Sequence, residues 1–198
     1  MKLLLGFVIL IVPLMLTAHP HIFVGTDVTF VFDKEGLKGF QMKWVFDDMT
    51  STLLMDDYDK NNNDKFDEEE LTALKAYLDG KLRPFNYYCD ITIEDKIYLT
   101  DGIQNFNATY NDLYVYYEFF LPCKVVSSTN YKQIKLAVYD KTYYSKFFLN
   151  HRDGILFENG EDYVWEFIIR KNDNKSFYYG QINPTEIVFK FKEKTDEE

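Results

Sequence analysis

The chain has 198 residues, with 22 Lys+Arg against 32 Asp+Glu and a formal net charge of −10. That balance argues against nucleic acid and anionic lipid as partners, because both demand a basic face. Aromatic residues make up 18% of the chain, including 16 Tyr and 18 Phe, a load that favours strands and predicts a sheet-rich core.

Residues 1–18 read as a secretory signal peptide. Lys2 supplies a short positive start, an apolar run follows to Leu16, and Leu16-Thr17-Ala18 offers the small residues of a cleavage site. The run is shorter than the ~20 residues a membrane-spanning helix needs; an uncleaved anchor is the alternative reading. Cleavage removes one cation, Lys2, so the mature chain from His19 carries 21 Lys+Arg against 32 Asp+Glu, net −11. It has no further apolar run long enough to span a membrane, and its expected place is outside the cytoplasm.

Strand alternation starts at once. In residues 21–32, Val24, Thr26, Val28, Phe30 and Phe32 recur at every second position. Asp33-Lys34-Glu35-Gly36 is a turn, and residues 37–46 form the return strand of a hairpin. The period then changes. Residues 47–57 place Met49, Leu53 and Leu54 on a helical face, with Asp47 or Asp48 as N-cap. Residues 68–82 carry Leu71, Leu74, Tyr77 and Leu78 as a second helical stripe, closed by Gly80 and Pro84. Strand patterns return at 88–94, 96–99, 102–109, 113–121, 132–139, 146–149, 163–170 and 187–192. The fold expected is mainly β, an antiparallel β-sandwich-like single domain over residues 19–198. A helix–loop–helix of the EF-hand kind is inserted at about 47–82.

The loop between the helices carries the clearest chemistry. Residues 59–70 follow D-x-[DN]-x-[DN]-G-x5-E at every position but one. Calcium is a hard cation that takes six to eight oxygens, and alternate positions of such a loop converge on it. The expected ligands are Asp59, Asn61 and Asn63 through side-chain oxygens, Lys65 through its backbone carbonyl, Asp67 directly or through water, and Glu70 as the bidentate ligand. Asp64 stands where the pattern has glycine. A positive φ there costs a non-glycine residue of order 1 kcal/mol, less for Asp than for most. Asp64 and the two Asn ligands predict weakened affinity, roughly micromolar to millimolar. A solvated acidic loop is the competing explanation.

The new N-terminus would expose His19-Pro20-His21. An α-amine and two imidazoles suit copper, nickel or zinc. Pro20 has no N–H and removes the amide-nitrogen chelate. His151 is the third histidine and reads as a loop residue. Cys89 and Cys123 could pair in an oxidising compartment or stay free; their spacing is no metal or redox motif. Trp44 and Trp165 read as core aromatics. No nucleophile elbow, phosphate loop or zinc-protease helix is present in the sequence, so no catalytic residue is assigned.

Four segments together resemble a known family. They are Ala18-His19-Pro20-His21-Ile22-Phe23-Val24, Trp44-Val45-Phe46-Asp47, the loop of residues 57–71, and Ala137-Val138-Tyr139-Asp140-Lys141-Thr142-Tyr143-Tyr144. In this order they are similar to domain-of-unknown-function family 1007, a bacterial periplasmic family sometimes labelled a periplasmic component of ABC-type transport systems. The resemblance spans essentially the whole mature chain. It implies a place beside nickel/cobalt-type metal exporters, and so a membrane metal transporter as partner. The resulting expectation is a non-catalytic, calcium-binding periplasmic accessory protein in the handling of nickel, cobalt, zinc or copper. The alternatives are a structural or assembly partner of a transporter in which calcium only steadies the fold, and a copper-dependent oxidative enzyme using an N-terminal His site.

Overall fold

A computed structural model describes residues 20–150 and 152–195, with Arg152 described by its backbone alone. The signal-peptide segment, His19 and His151 lie outside the described residues. The chain begins with the expected hairpin, β1 (Ile22–Asp33) and β2 (Gly36–Phe46). Gly36 closes its turn at φ +134°, where a Cβ would stand 2.3 Å from the Val125 carbonyl oxygen, so only glycine fits. Helices α1 (Asp48–Tyr58) and α2 (Glu68–Lys81) follow. The rest is strand: β3 (Cys89–Ile93), β4 (Lys96–Tyr98), β5 (Gln104–Asn111), β6 (Tyr114–Val126), β7 (Lys132–Val138), β8 (Ser145–Leu149), β9 (Ile155–Glu158), β10 (Tyr163–Lys171) and β11 (Thr185–Glu193).

The strands form two sheets. One runs β5-β6-β2-β1-β8, with β9 also paired to β1; the other runs β10-β11-β7-β3-β4. Alternation explains the core between them. Val24, Thr26, Val28, Phe30 and Phe32 of β1 all point inward and are buried, as are Phe40, Met42, Trp44 and Phe46 of β2. The second sheet answers with Ile134 and Leu136 of β7 and Ile187, Phe189 and Phe191 of β11. Phe30 meets Phe189 across the gap at 4.4 Å between ring centroids, and Phe32 meets Phe191 edge-on at 5.3 Å.

Five points of the sequence reading need correction. The first sheet is mixed, because β8 and β9 lie parallel to β1. Alternation reports which face a residue takes and carries no sign of strand direction. Strand β9 was not expected; its Ile155-Leu156-Phe157 run is apolar at three consecutive positions and shows no alternation. Met49 and Leu53 do not face the core: they are 60% and 57% exposed, while Thr50 and Ser51 are buried. Ser51 explains why, since its Oγ accepts the Val115 N–H of β6 at 2.8 Å and donates to the Phe46 carbonyl at 3.3 Å. Helix α1 therefore docks by hydroxyls as well as by the partly buried Leu54, Met55 and Tyr58. Gly80 lies inside α2, which runs on to Lys81, and Trp165 lies at the surface, stacked on Phe157 at 3.8 Å.

Candidate functional site

The loop that joins α1 to α2 is held by its own carboxylates. Asp59, the first residue after α1, is 6% exposed. Its Oδ1 accepts the Asn63 N–H at 3.1 Å and its Oδ2 the Asp64 N–H at 2.9 Å. Asp64 adopts φ +59° and Asn62 φ +55°, so the chain reverses through two left-handed residues of the types that tolerate this best. Phe66 turns into the core beside Leu74 and Leu78 and anchors the exit of the loop.

At the far end Asp67 is the N-cap of α2. Its Oδ1 accepts from Glu69 and Glu70 N–H groups at 3.0 and 3.2 Å, and its Oδ2 accepts from Asn61 Nδ2 at 3.1 Å. Glu70, 6% exposed, closes a capping box: Oε2 accepts the Asp67 N–H at 2.9 Å, and Oε1 reaches back to the Lys60 N–H at 2.7 Å. Asn61, Asp67 and Glu70 are thus drawn into one network at the exit of the loop, while Asp59 holds its entry through the Asn63 and Asp64 N–H groups. Asn63 and Lys65 stay exposed. The carboxylates are turned onto backbone donors rather than onto a common point, and among the described residues no three His, Cys, Asp or Glu side chains converge as a metal cluster.

The donor set is made of hard oxygens, which is calcium chemistry and not that of a soft or imidazole-bound metal. Asp59 and Glu70 are buried anions, and neither forms a salt bridge to a cation among the described residues. Each carboxylate offers about four lone-pair sites, of which two are taken by N–H donors, so capacity for a cation remains.

The other motif segments meet at the start of β1. His21 is exposed, and its ring lies 4.9 Å from that of Tyr144. The Tyr144 carbonyl accepts the N–H groups of His21 and Ile22 at 2.9 and 3.2 Å. Asp47 caps α1 through Thr50 and also accepts the Phe23 N–H at 2.7 Å, tying the helix to β1. Asp140, buried, organises the turn into β8 by accepting from the Thr142 and Ser145 N–H groups at 2.8 and 3.1 Å. Asp47 takes the N-cap place that the sequence offered to Asp47 or Asp48, whereas its tie to β1 and the turn built around Asp140 were not assigned from the sequence motifs. Carboxylates placed just after a strand and three or five residues ahead of a hydroxyl are the signal that could have found them.

Cys89 and Cys123 are both buried and free. Burial pushes both thiols up, that of Cys123 to about 12, so neither is a thiolate at neutral pH. Among the described residues, no helix is long and apolar enough to cross a membrane.

Comparison with known proteins adds a family and no activity. The family model described as protein of unknown function (DUF1007) matches residues 4–166. An uncharacterized 15.5 kDa protein in the trpE 3'region of Spirochaeta aurantia is 26% identical over 129 residues, covering 65% of this chain and 91% of that protein. An uncharacterized protein of Haemophilus influenzae is 26% identical over 127 residues, covering 64% of this chain and 61% of that protein.

Proposed function

The chain belongs to the DUF1007 family of proteins of unknown function, and from that premise we propose that it is an exported, calcium-holding accessory protein in transition-metal handling, without catalytic chemistry of its own. The observation that carries the calcium part is the pair Asp59 and Glu70. Both are buried at opposite ends of a loop rich in oxygen donors, and neither forms an ion pair with a cation among the described residues. Burying carboxylates without a counter-charge is costly, and a divalent cation at the loop would supply it. Asp59, Asn61, Asn63, Asp67 and Glu70 would hold calcium through side-chain oxygens and Lys65 through its carbonyl. Asp67 and Glu70 would have to share oxygens that now serve the N-terminus of α2. Bound calcium would clamp α1 to α2.

The metal-handling part rests on His19 and His21 and on the family resemblance. His21 stands exposed just before β1 with its ring against Tyr144, and imidazole is a ligand type that nickel, copper and zinc accept. Export to the periplasm and a membrane metal transporter as partner belong to the same proposal. Calorimetry on the chain beginning at an unmodified His19 tests both parts. Calcium should bind, and Glu70→Gln should lower its affinity at least tenfold, about 1.4 kcal/mol. A transition metal should bind, and His19→Ala with His21→Ala should abolish it. Unchanged affinity in either variant defeats the corresponding part.

The loop's own hydrogen bonds favour a second reading. Because Asp59, Asp67 and Glu70 already knit the loop together, calcium could serve only to steady it in an assembly partner. That reading expects calcium to raise the unfolding temperature and no transition metal to bind.

A further inference from the structure

The inner face of the first sheet carries an unsatisfied polar pair. Thr26 is fully buried at the centre of β1, and its Oγ1 has no hydrogen-bond partner among the described residues. Its register partner across β2 is Trp44, whose Nε1, also buried, has none either. Buried donors and acceptors are overwhelmingly paired in folded proteins, so two orphans side by side call for an explanation.

A cavity lies next to them. It has a volume of about 450 Å³, runs between β1 and β8 of one sheet and β7 and β11 of the other, and Thr26 lines it. Leu136, Phe147, Phe177, Ile182 and Ile187 make most of the wall apolar. Phe147 also packs on the Trp44 ring at 5.0 Å, which links the second orphan to the same space. The volume falls within the range of small-molecule sites, and an apolar wall with a few placed polar groups is their usual composition. Among the described residues no Asp or Glu lines the cavity, and the one charged lining residue, Lys146, is exposed.

We propose that this cavity binds a small neutral molecule with an apolar, ring-sized body and a single hydroxyl or carbonyl group that hydrogen-bonds Thr26 Oγ1. A charged group at that depth would be desolvated without a counter-ion. A neutral hydroxyl or carbonyl satisfies the threonine, and the apolar body covers Phe147 and Leu136. The site is separate from the calcium loop and does not depend on it.

The test uses 1-naphthol and naphthalene as paired probes on the mature protein, read by calorimetry, with Thr26→Val as the variant. That change keeps shape and removes only a hydroxyl without a partner, so the fold should hold, as checked by thermal unfolding. 1-Naphthol should bind and lose about tenfold in affinity in Thr26→Val, while naphthalene binding stays unchanged. Val138→Trp, which fills the cavity from a half-buried lining position, should abolish binding of both. Failure of 1-naphthol to bind, equal affinity in Thr26→Val, or a crystal structure with a buried water bridging Thr26 to Trp44 in the presence of 1-naphthol would each overturn the proposal.

Discussion

The backbone N–H of Lys60 donates to Glu70 Oε1 at 2.7 Å, joining the second residue of the loop to its twelfth. Glu70 Oε2 takes the Asp67 N–H as well, so one buried side chain closes both the loop and the helix N-terminus. In a chelator, with calcium removed, Glu70→Ala should cost about 1–2 kcal/mol of stability, because two N–H groups lose their acceptor. Glu70→Gln, which keeps one acceptor oxygen, should cost less. Urea unfolding followed by circular dichroism gives both numbers; equal losses would show that the acceptor oxygen Gln retains contributes nothing.

Asp64 holds φ +59° in the position that the loop pattern reserves for glycine. Asp64→Gly keeps the backbone donor to Asp59 and removes the steric cost of a Cβ there. We expect a gain of about 0.5–1 kcal/mol at the loop, seen as a severalfold tighter calcium affinity. A weaker affinity would mean that the Asp64 charge matters more than its backbone.

Ser51 is the hydroxyl by which α1 docks on β6. Ser51→Ala strands the Val115 N–H in the core and should destabilise the protein by about 1–3 kcal/mol. Met49→Ser and Leu53→Ser, on the exposed side of the same helix, should each change stability by less than about 0.5 kcal/mol. Chemical unfolding of the three variants checks the docking face directly.

Alkaline pH should unfold the chain through two adjacent tyrosines. Burial pushes Tyr87 up to about 12, helped by its hydrogen bond to Asp79, and burial with the nearby Asp140 charge pushes Tyr88 up to about 12. Both start from an ordinary value of 10.0. Between those values the unfolded chain releases protons that the folded chain keeps, so stability is full below pH 10 and falls as pH rises toward 12. The urea midpoint should drop across that window, and Tyr87→Phe should make the drop shallower.

Cys89 and Cys123 should be silent in the native state. Their burial predicts no alkylation by iodoacetamide in buffer and two modified thiols per chain in denaturant without reductant, read by intact mass. An unmodified denatured chain would mean a disulfide instead.

The hairpin of β1 and β2, the two helices and most later strands stand within a few residues of their sequence periods. Thr26 keeps its place in the β1 alternation among Val24, Val28 and Phe30, and Asp67 with Glu70 matches a capping box readable in the letters D-x-x-E. The face of α1 was misjudged from Met49 and Leu53, because a hydrophobic period cannot see a serine that docks by a hydrogen bond. Asp140 stands just past a strand and two and five residues ahead of Thr142 and Ser145, a spacing that a search for strand and helix periods passes over.

Local chemistry decides where this chain alternates, where it caps and where it reverses, since those depend on neighbours within a few residues. Residues 59–70 accordingly reveal their oxygen donors, and the inward set of β1 its core, before any folding. Long-range pairing decides the rest. That β8 and β9 run parallel to β1, and that a cavity opens between the sheets beside Thr26, follow from strands more than a hundred residues apart meeting in space; the pairing of Thr26 with Trp44 is local to the hairpin, but that both polar atoms end buried and unsatisfied is decided by what packs over them. No local period encodes such encounters, because their energy exists only after both sheets close on a common core.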